Sequence, residues 1–267
     1  IDGFPNGAKA TSGTLGGTEH GWGQTRIRAH GGTYSICWCA FGQTCVEGIH
    51  HLKQLGTLTV VGPHGGFFKA CLVFDTCDWS GLTGEGLQNG DRIMLLEECG
   101  AGVPVAGFPN GDIAVATNTG SSYDFPGSDN VVKAGGHEYE MCWCAQATSV
   151  CSSPANFLVS AGILKIVGPR SDNVVSCVQG RSCHFEIEGV GLTNTDKIQI
   201  LDICATGVGP GGFPNFGLAT ATNFGRSYES WTGAVQAQFG AYRLCWCGNG
   251  WSCPPVSGFK MDAGILW

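Results

Sequence analysis

Three observations predict an all-β fold for this chain. A strand-like motif recurs at domain spacing, a set of cysteines recurs in register with it, and helical patterning with caps is missing. The motif is Tyr-x-x-Cys-Trp-Cys. It reads Tyr34-Ser35-Ile36-Cys37-Trp38-Cys39, then Tyr139-Glu140-Met141-Cys142-Trp143-Cys144, then Tyr242-Arg243-Leu244-Cys245-Trp246-Cys247, with copies 105 and 103 residues apart. That spacing is the length of a small domain rather than of a solenoid turn. The expectation is a tandem series of disulfide-rich antiparallel β-sandwich modules.

Each copy of the motif alternates. Tyr34, Ile36 and Trp38 share one parity, as do Tyr139, Met141, Trp143 and Tyr242, Leu244, Trp246. Successive side chains of a strand point to opposite faces, so this pattern reads as a half-buried strand. Tyr, the aliphatic residue and Trp are expected in the core. The two cysteines are expected on the outer face of the sheet.

The rest of the chain falls into register around that strand. Gly3-Phe4-Pro5-Asn6 recurs as Gly107-Phe108-Pro109-Asn110 and Gly212-Phe213-Pro214-Asn215. After the motif, a strand beginning at Gly56 runs into Val61-Gly62-Pro63; its counterpart begins at Gly162 and ends in Val167-Gly168-Pro169, and a third copy starts at Gly264. Proline removes a ladder donor and glycine frees the backbone, so a strand is expected to end at Val-Gly-Pro. The boundaries follow: an incomplete module over 1–62, a complete one over 63–168 and a near-complete one over 169–267. Both later modules carry a Gly-x-Gly-Leu turn, at Gly84-Glu85-Gly86-Leu87 and Gly189-Val190-Gly191-Leu192, then a strand over 91–99 or 196–204. Asn-Gly pairs at Asn6-Gly7, Asn89-Gly90, Asn110-Gly111 and Asn249-Gly250 suit tight turns. Six or seven short strands per module of about 105 residues point to an immunoglobulin-like sandwich. The Gly-x-Tyr lead of Gly32-Thr33-Tyr34 resembles the penultimate strand of such folds.

A complete module holds six cysteines, which allow about 15 pairings. Short turns can join Cys71 to Cys77 and Cys177 to Cys183, and hairpin arms can join Cys39 to Cys45, Cys144 to Cys151 and Cys247 to Cys253. Cys99 then falls to Cys142 and Cys204 to Cys245, across distant strands. Cys37 is left unpaired, or paired outside the segment, which suits an odd total of 15 cysteines. The scheme has one conflict: Cys99 shares parity with Ile93 and Leu95, and Cys204 with Ile198 and Ile200, so both point inward unless a bulge near Glu97 or Asp202 shifts the register. The rival use of Cys-x-Cys is zinc, but zinc modules are short and basic, whereas these are long and carry few charges.

Composition narrows the function. Charged residues are 13% of the chain, net charge is −7, and 14 Lys and Arg form no basic cluster. Nucleic acid and anionic membrane surfaces are therefore poor partners. No apolar run reaches the ~18 residues a membrane helix needs, so membrane insertion is not expected. Cysteines in register imply an oxidising compartment, extracellular or a secretory organelle. The chain opens Ile1-Asp2-Gly3 without an initiator methionine and reads as a mature product or a window of something longer.

Catalytic signatures are missing: no Gly-x-Ser-x-Gly elbow, phosphate-binding loop, His-Glu-x-x-His or dinucleotide fingerprint. His50-His51, the one adjacent histidine pair, would face opposite sides of a strand. Glu97, Glu98 and Asp202 read as solvated strand ends, and Cys37 as a cysteine without its partner rather than a nucleophile. The expectation is no enzymatic activity, no cofactor and no metal site. Trp22 and Trp231 precede the motif by similar distances and join the expected core. Phe4, Phe108 and Phe213 sit in Gly/Pro loops, either as contact points for a partner or as plugs closing one end of the sandwich.

The Tyr-x-x-Cys-Trp-Cys strand, the cysteine six or seven residues later and the strand ending in Val-Gly-Pro together resemble a known family. It is the cysteine repeat modular proteins of apicomplexans, with the related secreted multi-repeat proteins of other alveolates. The resemblance covers nearly the whole chain and implies very large extracellular or organelle-secreted proteins acting in structure, adhesion or secretion. The expected role is a structural segment forming a rod or filament, its partners being neighbouring modules or copies of the same protein. The alternative is an adhesin or lectin-like module that binds a cell-surface protein or glycan through the Gly-Phe-Pro-Asn loops.

Overall fold

The computed structural model describes residues 1–12, 17–40, 42–46, 48–127, 130–229 and 233–267. These residues form β-strands and short 3-10 turns, with no α-helix among them. The opening stretch holds β1 (Thr11–Ser12), β2 (His20–Gly21), β3 (Gly32–Trp38), β4 (Lys53–Val60) and β5 (Gly62–Pro63). Next come β6 (Phe67–Leu72), β7 (Trp79–Ser80), β8 (Gly84–Glu85), β9 (Arg92–Leu96), β10 (Ile113–Thr117), β11 (Ser122–Asp124), β12 (Glu138–Cys144) and β13 (Val159–Pro169). The last set is β14 (Asn173–Val175), β15 (His184–Glu186), β16 (Gly189–Val190), β17 (Lys197–Leu201), β18 (Leu218–Thr222), β19 (Ser227–Glu229), β20 (Tyr242–Cys247) and β21 (Met261–Leu266).

Two sheets share one plan. The first runs β6-β13-β12-β9-β10-β11-β7 and the second β14-β21-β20-β17-β18-β19-β15. In both, the first strand lies parallel to the last (β6 on β13, β14 on β21) and every other pairing is antiparallel. The strand path curls so that apolar side chains of both halves meet inside, giving a barrel-like sandwich. The interior of each is lined by Ile93, Leu95, Met141 and Leu164, or by Ile198, Ile200, Leu244 and Ala263. These lie in one continuous buried cluster that also takes in Cys71, Cys77 and Cys183.

Glycine allows the parallel contact. A Cβ on Gly162 would collide with the carbonyl oxygen of Phe67, and one on Gly264 with that of Asn173. Both glycines sit beside the irregular step in the β12–β13 and β20–β21 ladders, where the chain needs a φ of +148° and +124° respectively.

Several expectations are corrected. The strands expected over 91–99 and 196–204 stop at Leu96 and Leu201. No bulge near Glu97 or Asp202 is needed, because Cys99 and Cys204 lie in the following turns, free of strand parity. The strand expected to end at Val-Gly-Pro does so: β13 has Pro169 as its last residue, and Gly168 and Pro169 pair there with Val190 and Gly189. The Gly-x-Gly-Leu copies open as short strands, β8 and β16, and not as simple turns. His50 closes a 3-10 turn over Gly48–His50 and is not on a strand.

The cysteine face is also different from its expected outward position. Cys142 and Cys144 are buried in a small second core with Met94, Leu96, Cys99, Cys151 and Phe157. Cys245 and Cys247 are buried likewise with Leu201 and Phe259. The loop after each motif strand folds back and lays a phenylalanine over the sulfurs, so both faces of the motif strand are covered. In the opening stretch the reverse holds. Ile36 and Trp38 are 43% and 46% exposed, against the expected core placement of Trp38. β3 pairs only with β4 among the described residues, and no third strand screens it.

Candidate functional site

The motif strand is held by covalent and polar anchors that repeat from one sheet to the next. Disulfides join Cys39–Cys45, Cys71–Cys77, Cys99–Cys142, Cys144–Cys151, Cys177–Cys183, Cys204–Cys245 and Cys247–Cys253. Cys37 is a free, exposed thiol. Each kind has its own mechanical task. Cys99–Cys142 and Cys204–Cys245 fasten the turn after the central strand to the motif strand. Cys71–Cys77 links β6 to the segment entering β7, the two ends of the hydrogen-bonded path. It closes the seam that the ladder leaves open.

Buried aspartates brace the same strand. Asp91 accepts from the backbone amides of Gln88 at 2.9 Å and Gln146 at 3.2 Å. Asp196 accepts from the Thr193 amide and hydroxyl and from the Asn249 amide, each at 2.9 Å. Each carboxylate therefore ties the turn before the central strand to the residues after Cys144 or Cys247. Desolvation raises the carboxyl pKa of Asp91, and its amide donors only partly offset this. The tyrosines of the motif donate four residues back: Tyr34 to His30 O at 2.7 Å, Tyr139 to Gly135 O at 3.0 Å and Tyr242 to Gln238 O at 2.6 Å. Burial pushes the Tyr139 hydroxyl up to about 12.

Of the two readings of the Gly-Phe-Pro-Asn loops, the structure fits the plug. Phe4, Phe108 and Phe213 are buried at 8%, 7% and 8% exposure. Each meets the motif tyrosine edge-on, with centroids 5.0 Å from Tyr34, 5.4 Å from Tyr139 and 5.2 Å from Tyr242. Asn6, Asn110 and Asn215 shape the loop by donating to Lys9 O, Ile113 O and Leu218 O. Trp22 is half-buried against Phe4, and Trp231 lies outside the described residues.

Sequence reasoning marked Val-Gly-Pro as a boundary but missed the backbone pairings made there. Gly62 and Pro63 pair with Glu85 and Gly84, and Gly168 and Pro169 with Val190 and Gly189. The same prolines accept from a third segment, Gly31 N to Pro63 O at 2.7 Å and Gly136 N to Pro169 O at 2.8 Å. Three backbones thus converge on each Val-Gly-Pro. A Cβ on Gly31 or Gly84 would strike the Gly62 carbonyl, and one on Gly136 would strike that of Gly168. Asn173 adds a side-chain brace at the second junction, donating to Arg170 O at 2.7 Å and Ala263 O at 2.9 Å while accepting from Glu188 N at 2.7 Å. The signal was present in the sequence as glycines recurring at three places around one proline.

Chemistry at these places is limited by what the groups already do. The sulfurs of Cys99 and Cys142, with Glu140 nearby, form the one His/Cys/Asp/Glu cluster with metal-like spacing among the described residues. Both sulfurs are in a disulfide and offer no thiolate, and Glu140 already accepts from the Cys99 amide at 3.0 Å. Asp202 accepts from Ile203 N and Val208 N and so caps its own turn. An open cleft beside the second junction is lined by Glu97, Val103, His137, Tyr139, Arg170 and Asp172. Arg170 is taken up there by Asp172 in a two-bond pair at 3.0 and 2.8 Å. That hydrogen-bonded pairing lowers the pKa of Asp172.

Two sheets of one topology, each pinned by three disulfides, with a seventh in the opening stretch, define a disulfide-rich all-β cysteine-repeat protein. The chain is similar to "Cysteine repeat modular protein B" of Toxoplasma gondii, at 26% identity over 166 residues. The match spans 60% of this chain and 2% of the length of that protein. No protein-family model and no solved structure matches the chain. The disulfides and the cysteine-repeat relative argue for an extracellular or secretory protein. Among the described residues, no helix is long and apolar enough to cross a membrane.

Proposed function

We propose that this chain is a non-enzymatic structural stretch of a repeat array that builds an extracellular rod or filament from immunoglobulin-like modules over 1–62, 63–168 and 169–267. The observation that carries the reading is the junction. It is made twice with the same backbone pairings, and it is built from backbone groups and glycines rather than from a loose linker. Such a junction fixes the angle between neighbours, which a load-bearing array needs and a string of independent binding domains does not. The immunoglobulin-like assignment is supported by the first strand lying parallel to the last and by the tyrosine donating to backbone four residues upstream. Small-angle scattering of the purified chain tests this. A rigid elongated particle whose length grows by a constant step with each added repeat supports the rod; a flexible necklace rules it out.

A second reading, an adhesin recognising a cell-surface protein or glycan, is favoured by one observation. Phe216, Phe224 and Phe239 are 86%, 79% and 94% exposed. The binding loops would then be these, and not the Gly-Phe-Pro-Asn rings. Loss of cell-surface or glycan binding on replacing Phe216 and Phe239 by glycine separates it from the rod.

A further inference from the structure

The four Asn-Gly pairs make turns of two kinds, and one of them leaves both reacting groups of the pair free. Asparagine is a thermolabile residue, and glycine after it adds no side chain to hinder attack of its amide nitrogen on the asparagine carboxamide. A hydrogen bond held by either group opposes that attack. At Asn6-Gly7 and Asn110-Gly111 the asparagine is left-handed, with φ of +52° in both, and its carboxamide is anchored. It donates to Lys9 O at 3.1 Å in the first and to Ile113 O at 2.8 Å in the second. Asn89-Gly90 and Asn249-Gly250 turn differently from these and like each other. Asp91 N donates to Gln88 O at 3.3 Å and Trp251 N to Gly248 O at 3.2 Å, with Gly90 and Gly250 at φ of +87° and +85°, as a type II turn requires. The two part at the nucleophile. The Gly90 amide donates to Ala116 O at 2.9 Å. Neither the Gly250 amide nor the Asn249 carboxamide has a hydrogen-bond partner among the described residues, and both residues are exposed. In the first sheet Gln146 stands at the place of Asn249, its amide donating to Asp91 as that of Asn249 donates to Asp196. A glutamine must close a larger ring to react in this way, so the labile pair belongs to the second sheet alone.

We propose that Asn249 is a site of spontaneous deamidation, and that its conversion releases the brace that Asp196 holds on the motif strand. The Gly250 nitrogen attacks Cγ of Asn249. A C–N bond forms, the bond from Cγ to Nδ2 breaks, and ammonia leaves with the proton of the Gly250 amide. Water then opens the succinimide at either carbonyl, so one water is consumed, one ammonia is released, and the product is aspartate or isoaspartate. Either product sets a carboxylate beside Asp196, which is 2% exposed and accepts from the Asn249 amide at 2.9 Å. Like charges so close to a buried group repel with little water to screen them. Isoaspartate also adds a main-chain atom inside the loop that Cys247–Cys253 closes. The amide of residue 249 is then carried off the carboxylate, and a buried acceptor loses its donor.

The test ages the whole disulfide-intact chain in warm, mildly alkaline buffer and follows each Asn-Gly peptide by mass. The small gain of OH for NH2 scores conversion, and labelling by a protein isoaspartate methyltransferase scores the isoaspartyl product. Asn249 is expected to convert several-fold faster than Asn6, Asn89 and Asn110 in the folded chain, and at a rate similar to theirs in the reduced, urea-unfolded chain. Equal rates in the folded chain, or faster conversion at another of the four, overturn the site. Hydrogen exchange reads the consequence. The amides of Thr193 and residue 249 should exchange faster in the aged chain than in the fresh one, while those of Gln88 and Gln146 do not. Asn249→Gln, which copies Gln146, should exchange alike before and after ageing. A chain converted at residue 249 whose amides exchange as in the fresh protein overturns the release of the brace. The rod reading is tested by particle shape, so the two stand or fall separately.

Discussion

The backbone amide of Gly136 donates to the carbonyl oxygen of Pro169 at 2.8 Å, across the junction between the two complete sheets. Proline gives up its own donor, and its acceptor is the group this contact uses. The close approach is possible because residue 136 has no side chain: a Cβ there would collide with the carbonyl oxygen of Gly168. Gly31 and Pro63 repeat the arrangement at 2.7 Å.

Gly136→Val should therefore loosen the junction more than it unfolds either sheet. Overpacking of this sort typically costs about 1–3 kcal/mol. Scattering should show a larger, more flexible particle, and amides of β13 and β16 should exchange faster while those of β9 and β17 do not. The matching position in the last repeat is Phe239, which is 94% exposed. Phe239→Val is the control, expected to change stability by less than about 0.5 kcal/mol. Equal effects of the two substitutions would remove the junction from the argument.

Phe108 distinguishes a plug from a contact point. Its ring lies 5.8 Å from Phe125 and 5.4 Å from Tyr139, at 7% exposure. Phe108→Ala should cost about 3–5 kcal/mol, the usual range for an emptied aromatic site. Calorimetry should show a lower melting temperature for the repeat that contains it. Unchanged melting with lost assembly would restore the contact reading.

What could be read from sequence follows period and spacing. The alternation of Tyr139, Met141 and Trp143 is local, so it announces a strand and one buried face without any tertiary knowledge. The burial of the opposite face was illegible because Phe157 comes from a loop whose fold-back is not encoded in a period. Cys99 misled for a related reason. Parity applies only while a strand lasts, and this one stops at Leu96. The pairing of Gly168 and Pro169 with Val190 and Gly189 depends on partners farther along the chain, which spacing alone does not supply. Trp38 misled because its alternation is that of a buried strand while the strand that would cover it is not among the described residues.

Asp112 gives the fold a dependence on pH. It is buried at 6% exposure, and desolvation pushes its carboxyl up to about 6, against a partial pull downward from the Phe108 amide. The folded state thus holds this proton more tightly than the unfolded chain does. Stability from this group is complete below the unfolded value of 3.8 and falls as pH rises through about 6. The loss at pH 7.5 is at most about 3 kcal/mol. Asp112→Asn keeps an acceptor for the Phe108 amide, and asparagine suits the φ of +68° at this position. Its melting temperature at pH 7.5 should exceed that of the parent, and the gap should close by pH 4. A gap that is constant with pH would assign the effect to something other than this carboxyl.

Phe216 closes the comparison among the three loops. Asn6-Gly7 and Asn110-Gly111 turn with both residues at positive φ, and Asn215-Phe216 makes the same turn with φ of +48° and +55°. A left-handed backbone costs an L residue about 1–2 kcal/mol, and Phe216 recovers none of it by burial because it is 86% exposed. Phe216→Gly should relieve that strain, less about 0.5–1 kcal/mol for the extra freedom of glycine in the unfolded chain. The net expectation is a gain of about 0.5–1 kcal/mol in urea unfolding. A residue that is both strained and exposed is retained at the expense of stability, which is how a contact residue behaves. If the glycine variant is instead less stable, the ring packs onto its own repeat, and the adhesin reading loses the observation that favours it.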